Sequence, residues 1–261
     1  MKIIIVGGVA GGMSAATRLR RLMEDAEITI FEKGPFVSFA NCGLPYYVSG
    51  EIANRDSLLV QTPESLKARF NLGVRPFHEV IQISPEEHTV TVRHDGQEFT
   101  ESYDKLILSP GAKPFVPTIE GLAEAKNAYT LRNVPDLDEI MAALDNHPKE
   151  AVVIGAGFIG LEMAENLAKR GLQVTIVEKA PHVLPPLDQE MAAFVQAELL
   201  ANGVRVITSQ SATRFEDQGK VIALENGQKI TSDLTILSVG VEPENGLAKA
   251  AGIELGLRGG I

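Results

Sequence analysis

A β-branched strand that runs directly into a glycine-rich turn and then a helix occurs twice in this chain, and no other feature constrains the fold as strongly. The first copy passes from Ile3–Val6 into Gly7–Gly12 and a helix over Met13–Met23. The second passes from Val152–Ile154 into Gly155–Gly160 and another helix. Short apolar strands of this kind are typical of parallel sheets covered by helices on both faces. The pattern therefore predicts an α/β fold with two such units.

In each copy a second strand follows the helix and ends at an acidic residue. Ile28–Phe31 leads to Glu32, and Val174–Val177 leads to Glu178. Strand, helix and strand in this order form a βαβ unit, whose two strands lie parallel in one sheet. We therefore expect both glutamates at the same edge of their sheets as the glycine turns.

The likeness between the two copies continues further along the chain. Each contains a hairpin signal between alternating strands, Asp95–Gly96 in one and Asn226–Gly227 in the other, because these residues tolerate the positive φ of tight turns. Each then closes on the pattern D-x-x-I-L-S-x-G, over 104–111 and 233–240. These repeats predict two related nucleotide-binding folds in one chain.

The stretch between the copies is rich in residues that interrupt secondary structure, as expected of a crossover between domains. These residues are Pro114, Pro117, Gly121, Pro135 and Pro148. We therefore expect residues 1–112 to form the first part of one domain and residues 113–240 to form the other. Residues 241–261 would return to the first domain.

Composition narrows the functional classes. The 261 residues are 44% hydrophobic, enough for a sizeable core, and carry a net charge of −10 with a pI near 5.1, which disfavours a nucleic-acid partner. The single cysteine excludes an intrachain disulfide and a cysteine-rich metal site. No apolar run approaches the ~18 residues of a membrane helix. We expect a cytoplasmic protein with no membrane or nucleic-acid partner and no metal.

The second glycine turn has the full pattern of a dinucleotide-binding loop. Gly155, Gly157 and Gly160 match G-x-G-x-x-G between a strand and a helix, and Glu178 lies beyond them at the next strand end. Glycine lets a pyrophosphate approach backbone N–H groups, and a carboxylate there bonds ribose hydroxyls. Because the carboxylate repels a 2′-phosphate, NADH is favoured over NADPH. A glycine-rich turn without a ligand is the alternative.

The first turn departs from this pattern, since Val9 stands where the middle glycine is expected. Glu32, at the end of the next strand, restores much of the dinucleotide signal. A ligand-free turn remains open here too. The turn residues that we expect to bind a cofactor are Gly7, Gly8, Val9, Ala10, Gly11 and Gly12.

Cys42 is the candidate for redox chemistry. Gly43 and Pro45 predict that it lies where a loop enters a helix. A thiol at a helix N-terminus has its thiolate stabilised by the dipole, which makes it nucleophilic. A small buried hydrophobe is the alternative reading of a lone cysteine.

Three segments together resemble the single-cysteine class of pyridine nucleotide-disulfide oxidoreductases. They are G-G-V-A-G-G over 7–12, S-F-A-N-C-G-L-P-Y-Y over 38–47, and the segment 155–162. Within that class the chain is most similar to CoA-disulfide reductases and NADH-dependent persulfide reductases. The resemblance covers essentially the whole chain and implies two Rossmann-like domains, one for FAD and one for NAD. A C-terminal dimerisation domain, expected in the full-length homodimer, is absent from the sequence.

The resemblance also implies roles for individual residues. Glu32 would contact the adenosine ribose of FAD, and Val80 its adenine. The other expected flavin contacts are Ser109, Pro110, Gly111, Ala112 and Arg132. For Val80 a place in the core, and for Arg132 a place on the surface, are the alternatives.

In the second unit the resemblance places Phe158 over the flavin until nicotinamide displaces it. Packing in the core is the alternative for this aromatic ring. Glu162 would face the nicotinamide, and Ile159 and Gly240 would line the path of NADH.

A stripe of polar and basic side chains on the first helix is the candidate substrate site. Ser14, Arg18 and Arg21 are spaced four and three residues apart and therefore share a helix face. A solvated helix face explains the same charges. The resemblance instead implies that these three residues, with Ser38 and Asn41, line a channel for CoA, whose phosphates are anionic.

The resulting hypothesis is an FAD-dependent enzyme that uses NADH to reduce CoA disulfide, CoA persulfide or polysulfide through Cys42. Ala10 stands where related NADH peroxidases and oxidases have a histidine, which argues against a dedicated peroxidase. An NADH oxidase-type flavoprotein is one alternative. A nucleotide-binding fragment without turnover is the other, because a later segment that closes the FAD site in this family is also absent from the sequence.

Overall fold

The structure is a computed structural model that describes all residues from 1 to 261. The chain divides into two compact units. The first contains Met1–Ala40, Asp56–Lys113 and Glu242–Ile261, and the second contains Asn41–Arg55 and Pro114–Val241. The segment that carries Cys42 thus belongs to the second unit, although the strands on either side of it in sequence belong to the first.

Strands and short helices alternate along the chain. The helices are α1 Ala10–Leu22, α2 Leu44–Ser49, α3 Pro63–Phe70, α4 Val134–Leu144, α5 Phe158–Lys169, α6 Gln189–Ala201 and α7 Gly246–Ala250. The strands are β1 Lys2–Val6, β2 Glu27–Phe31, β3 Gly73–Arg75, β4 Glu79–Ser84, β5 Thr89–His94, β6 Gln97–Ser102, β7 Lys105–Leu108, β8 Ala112–Pro114, β9 Ala128–Tyr129, β10 Glu150–Ile154, β11 Gln173–Val177, β12 Arg205–Ile207, β13 Ala212–Glu216, β14 Val221–Leu224, β15 Lys229–Thr231, β16 Leu234–Leu237 and β17 Val241–Pro243.

A parallel sheet in the order β3-β2-β1-β7 forms the centre of the first unit. Strand β1 pairs in parallel with β2 and with β7, so that Ile5 lies between Ile30 and Ile107. Ile3, Ile4, Ile5 and Val6 are all buried, because helices and a second sheet cover the two faces. Parallel α/β sheets show this two-sided burial, and it explains the unbroken apolar run.

The second unit repeats this sheet in the order β12-β11-β10-β16, with β9 added at the edge. Strand β10 pairs in parallel with β11 and β16, as β1 does with β2 and β7. Each unit also carries a three-stranded antiparallel sheet, β4-β5-β6 in the first and β13-β14-β15 in the second. The predicted α/β class with parallel sheets is confirmed.

The predicted turns form where glycine and aspartate allow positive φ. Asp95 and Gly96 join β5 to β6 with φ of 49° and 75°, and Gly227 has φ of 82° between β14 and β15. Helix α1 begins at Ala10, before the predicted Met13, because the glycine turn itself continues into the helix.

In each unit the aspartate of the closing pattern D-x-x-I-L-S-x-G binds the start of the strand that leads into the glycine turn, β1 or β10. The Asp104 carboxylate accepts the backbone N–H of Lys2 at 2.6 Å. The Asp233 carboxylate accepts the N–H groups of Lys149 and Glu150 at 2.8 and 3.1 Å. The two aspartates therefore satisfy backbone donors where a strand enters its sheet.

None of the helices combines the length and the apolar character needed to cross a lipid bilayer. The longest, α1 and α6, have 13 residues each.

We expect Asp233→Asn to weaken the acid dependence of unfolding. The two backbone hydrogen bonds lower the pKa of Asp233 below its ordinary 3.8. The contribution of Asp233 to the free energy of unfolding is therefore present above pH 3.8. It is lost as the pH falls through the lower pKa that Asp233 has in the folded protein. The unfolding free energy, measured against pH, should fall less steeply in the variant at acid pH. Asp188→Asn is the matched control, since the Asp188 side chain makes no capping hydrogen bond. If the unfolding free energies of Asp233→Asn and wild type fell equally steeply at acid pH, the stabilising role of the Asp233 carboxylate would be contradicted.

Candidate functional site

The first glycine of each turn takes a backbone conformation that other residues avoid. Gly7 has φ of 101° and Gly155 has φ of 103°. A Cβ atom at Gly7 would lie 2.1 Å from the Ser109 carbonyl oxygen, and one at Gly155 would lie 2.4 Å from that of Ser238. Each turn therefore needs glycine for its conformation and for its contact with the strand of the closing pattern.

The last glycine of each turn allows the helix to pack directly on the turn. A Cβ atom at Gly12 would lie 1.9 Å from the Gly7 carbonyl oxygen, and one at Gly160 would lie 2.0 Å from that of Gly155. A Cβ at Gly157, by contrast, would meet no atom within 4 Å. Gly157 therefore faces open space, where a ligand can approach the backbone.

Glu32 and Glu178 each bind the neighbouring glycine turn by accepting hydrogen bonds from its backbone. Glu32 accepts the N–H of Gly8 on Oε2 and that of Gly34 on Oε1, both at 2.8 Å. In the second unit the equivalent carboxylate, Glu178, accepts from two alanines. Its Oε2 takes the N–H of Ala156 at 2.6 Å, and its Oε1 takes that of Ala180 at 2.7 Å.

This arrangement fixes each turn before any ligand arrives. The Glu178 side chain is only 8% exposed, and a buried carboxylate of this kind needs the two donors that it receives. We call each glutamate with its two backbone donors a carboxylate latch. The sequence predicted the acids as ribose contacts and did not predict their hold on the turns.

Both turns suit the diphosphate of a dinucleotide. Helices α1 and α5 begin within the glycine turns, at Ala10 and Phe158, and no side chain caps the N-terminus of either helix. Uncapped N–H groups at a helix start are available to phosphate oxygens. With the open space at Gly157, the residues present fit a dinucleotide in each unit.

The residues expected to contact flavin lie in different surroundings. Val80 is 5% exposed and packs in a core cluster with Val92 and Phe31, so that any contact with adenine would fall to its backbone. The run Ser109, Pro110, Gly111 and Ala112 follows β7, and the Ser109 hydroxyl lies close to Gly11. Arg132 is partly buried in the second unit, and its backbone N–H donates to the Asp136 carboxylate at 2.7 Å.

Of the residues expected to meet nicotinamide, Phe158 and Ile159 begin α5 and Glu162 lies one turn further along it. Phe158 is 64% exposed and Ile159 is 41% exposed, so the alternative that Phe158 packs in the core is wrong. Burial, followed by the nearby Glu165, raises the pKa of Glu162. Gly240 has φ of 125°, and its carbonyl oxygen accepts the N–H of Phe115 at 2.9 Å.

Cys42 is exposed and lies in a single 3-10 turn, Asn41–Gly43. Helix α2 begins at Leu44, directly after this turn, with Pro45 in its first turn. The alternative that Cys42 is a buried hydrophobe is wrong. As predicted, the thiol lies where a loop enters a helix, although that helix has only six residues.

A cleft of about 290 Å³ opens in the first unit beside α1. It brings together Ser14 and Ser38 of the predicted substrate residues. Arg18 and Arg21 are exposed on the same helix but do not line the cleft. The complete lining is Val9, Ala10, Met13, Ser14, Thr17, Ser38, Phe39, Val60, Gln61, Leu66, Arg69 and Phe70.

Arg69 supplies the cation of this cleft, although the sequence alone did not assign it a role. It lies in the last turn of α3, whose start is fixed by a capping box between Thr62 and Ser65. Thr62 followed by Pro63 is a helix-start signal that can be read in the sequence. The packing of α3 beside α1 is a tertiary contact that the local pattern does not specify.

Comparison with known protein families agrees with two turns that fit dinucleotides. The model of the family described as "Pyridine nucleotide-disulphide oxidoreductase" matches residues 1–261. The chain belongs to this family. The predicted family resemblance is therefore confirmed.

Three of this family's members show how much of a longer protein the chain spans. The coenzyme A disulfide reductase of Staphylococcus haemolyticus (strain JCSC1435) is 38% identical over 99% of this chain and 58% of its own length. The structure of reduced Bacillus anthracis CoADR-RHD is 52% identical, with a TM-score of 0.98 over 99% of this chain and 47% of that one. An NAD-dependent persulfide reductase from A. fulgidus is 36% identical, with a TM-score of 0.95 over 99% of this chain and 49% of that one. The chain thus spans roughly half the length of these proteins.

We expect Gly160→Ala to lower stability and Gly157→Ala to weaken NADH binding in this pyridine nucleotide-disulphide oxidoreductase. The added methyl at Gly160 meets the Gly155 carbonyl at 2.0 Å and should destabilise the second unit by at least the usual overpacking cost of about 1–3 kcal/mol. The methyl at Gly157 enters open space and should preserve stability while weakening NADH binding. Thermal unfolding and NADH titration check both effects. Equal melting temperatures for the two variants would refute the packing argument.

Proposed function

We propose that this chain forms the nucleotide-binding and cysteine-bearing part of an FAD-dependent, NADH-driven reductase of CoA disulfide, CoA persulfide or polysulfide. Cys42 would be its redox-active side chain. The observation that carries the proposal is the pair of latched glycine turns in a chain whose one cysteine is exposed. The coenzyme A disulfide reductase and persulfide reductase names of its relatives support the substrate class.

In this proposal the second unit binds NADH. Gly155, Gly157 and Gly160 would receive the pyrophosphate, and Glu178 would meet the adenosine ribose. Phe158, exposed at the start of α5, would cover the nicotinamide path, beside Glu162. The first unit would bind FAD through Gly7–Gly12 and Glu32.

Bound FAD would supply the transfer of an electron pair from NADH to sulfur, which no side chain of this protein can perform. The protein's own contribution is to hold the dinucleotides on rigid turns and to present the Cys42 sulfur. In the net reaction one disulfide, NADH and a proton yield two thiols and NAD⁺. Cys42 is the only cysteine in these 261 residues, which supports a substrate sulfur as its partner in the proposed reaction.

The cleft beside α1 is the proposed subsite for the anionic part of the thiol substrate. Ser14 and Ser38 provide hydroxyl groups, and Arg69 provides a cation that can pair with a phosphate. Arg18 and Arg21, exposed on α1, would contribute outside the cleft. This subsite favours CoA-linked substrates over inorganic polysulfide, which carries no phosphate group for Arg69 to bind.

We expect the chain to bind NADH at least about tenfold more tightly than NADPH. The Glu178 carboxylate would stand against the 2′-phosphate, and like charges at this range cost several kcal/mol. Fluorescence titration of both nucleotides measures the ratio directly. In Glu178→Ala both should bind more weakly, because a latch is lost, but their ratio should shrink towards one. Equal affinities in the wild-type chain would refute the preference.

We expect Cys42→Ser, in the flavin-loaded protein, to abolish disulfide and persulfide reduction while NADH still bleaches the flavin. The two half-reactions are separable because only the second needs the thiolate. Stopped-flow absorbance follows the first, and thiol release follows the second. Disulfide reduction retained in Cys42→Ser would eliminate Cys42 as the redox centre, and consumption of dioxygen without thiol release would indicate an oxidase.

A further inference from the structure

The short helix that follows Cys42 is anchored on the second unit along α5. Helix α2 buries Leu44, Pro45 and Val48. Cys42 lies in the 3-10 turn Asn41–Gly43, so that only Gly43 separates it from the first residue of this helix. Whatever fixes α2 therefore fixes the backbone of Cys42.

Two contacts define how α2 lies against α5. Tyr46, near the start of α2, is close enough to Glu162 that this carboxylate is the main cause of its raised pKa, with burial second. Glu51, just beyond the end of α2, forms an ion pair of 3.2 Å with Lys169 at the end of α5. The C-terminal end of α2 therefore lies beside the C-terminal end of α5, and the effect of Glu162 on Tyr46 agrees with two helices that run in the same direction.

The C-terminal end of α2 depends on a side chain from outside the helix. The carbonyl oxygen of Tyr47 accepts the N–H of Gly50, the residue that ends the helix. The carbonyl oxygen of Val48 instead accepts Nη1 of Arg170 at 2.9 Å. Arg170 follows α5 directly and places its positive charge where the carbonyl groups of α2 are exposed, a favourable position for a cation.

A second ion pair holds the far end of the same segment. Arg55 forms two hydrogen bonds with the Asp138 carboxylate of α4, at 2.7 and 2.6 Å. This bidentate geometry is the strongest that arginine makes with a carboxylate. The segment from Asn41 to Arg55 is thus tied to α5 and α4, the helices that flank it in the second unit.

We propose that Arg170 is a positioning residue for Cys42, acting by capping α2 on α5. The inference rests on the proposed role of Cys42 in sulfur reduction. A helix of six residues is too short to be stable alone, so loss of its cap frees the turn that carries the thiol. Through α5, the element that would receive nicotinamide at its start also holds, at its end, the C-terminus of the helix that follows Cys42.

The first test is hydrogen exchange of the 261-residue chain, which needs neither flavin nor sulfur substrate. Arg170→Ala should speed amide exchange in α2 by about tenfold or more, while α1 and α4 keep their protection. Arg170→Lys, which retains one donor and the charge, should restore part of the protection. Arg205→Ala is the matched control, because Arg205 is an exposed arginine of the same unit.

Unchanged exchange in α2, or an equal increase throughout the second unit, would overturn the capping role. If Arg170→Ala does not fold, Arg170→Lys against wild type supplies the same comparison, with a smaller increase confined to α2.

The second test separates positioning from folding in the flavin-loaded protein. Arg170→Ala should reduce the kcat of disulfide reduction about tenfold, because misplacing a reactive group by an ångström costs up to about a hundredfold. The KM for NADH and the rate of flavin reduction should not change. Parallel loss of both half-reactions, or loss of neither, would overturn the positioning role. A wild-type enzyme that does not reduce disulfides would instead contradict the proposed function, and the exchange result would stand apart from it.

Discussion

The hydrogen bonds from two glutamates to the turns beside them organise both units. Glu32 and Glu178 each accept two backbone N–H groups, one from the turn and one from the loop after the next strand. The glycines of the turns make this possible, because any larger residue at Gly12 or Gly160 would strike a carbonyl oxygen. When the glutamate binds the turn, the directions of the strand and of the following helix are fixed. The N–H groups at the start of the helix, which no side chain caps, are then available to a ligand.

The duplication extends to the hydrogen-bonding details of the sheets. In both units an aspartate of the closing pattern fastens the first strand, and a serine of the same pattern donates its N–H to the last residue of that strand, Val6 or Ile154, at 2.8 Å. These contacts join segments about a hundred residues apart in the first unit and about eighty apart in the second. The Cys42 segment lies within the first copy in sequence but belongs to the second unit, and in the proposed function it carries the chemistry that a simple pair of nucleotide folds lacks.

Local patterns in the sequence were sufficient to predict most of the architecture. The glycine turns, the parallel strands and the hairpins at Asp95–Gly96 and Asn226–Gly227 all follow from short-range rules of backbone geometry. The placement of Cys42 with the second unit did not follow, because it depends on Arg170 and Asp138, far away in sequence. The position of Arg69 in the cleft did not follow either, because it depends on the packing of α3 beside α1. Functional roles remain predictions even where position was anticipated, since Ser14 and Ser38 line the cleft but Arg18 and Arg21 do not.

The latch at Glu178 bears on how enzymes of this kind could change their nucleotide preference during evolution. Both of its carboxylate oxygens already bond backbone amides, those of Ala156 and Ala180. A substitution that removes the negative charge to admit a 2′-phosphate also removes at least one of the two oxygen acceptors that hold the turn. A change of preference from NADH to NADPH at this position therefore weakens the hydrogen bonds that hold the glycine turn, unless another substitution replaces them. In the proposed function, nucleotide selectivity and the rigidity of the loop therefore depend on the same carboxylate.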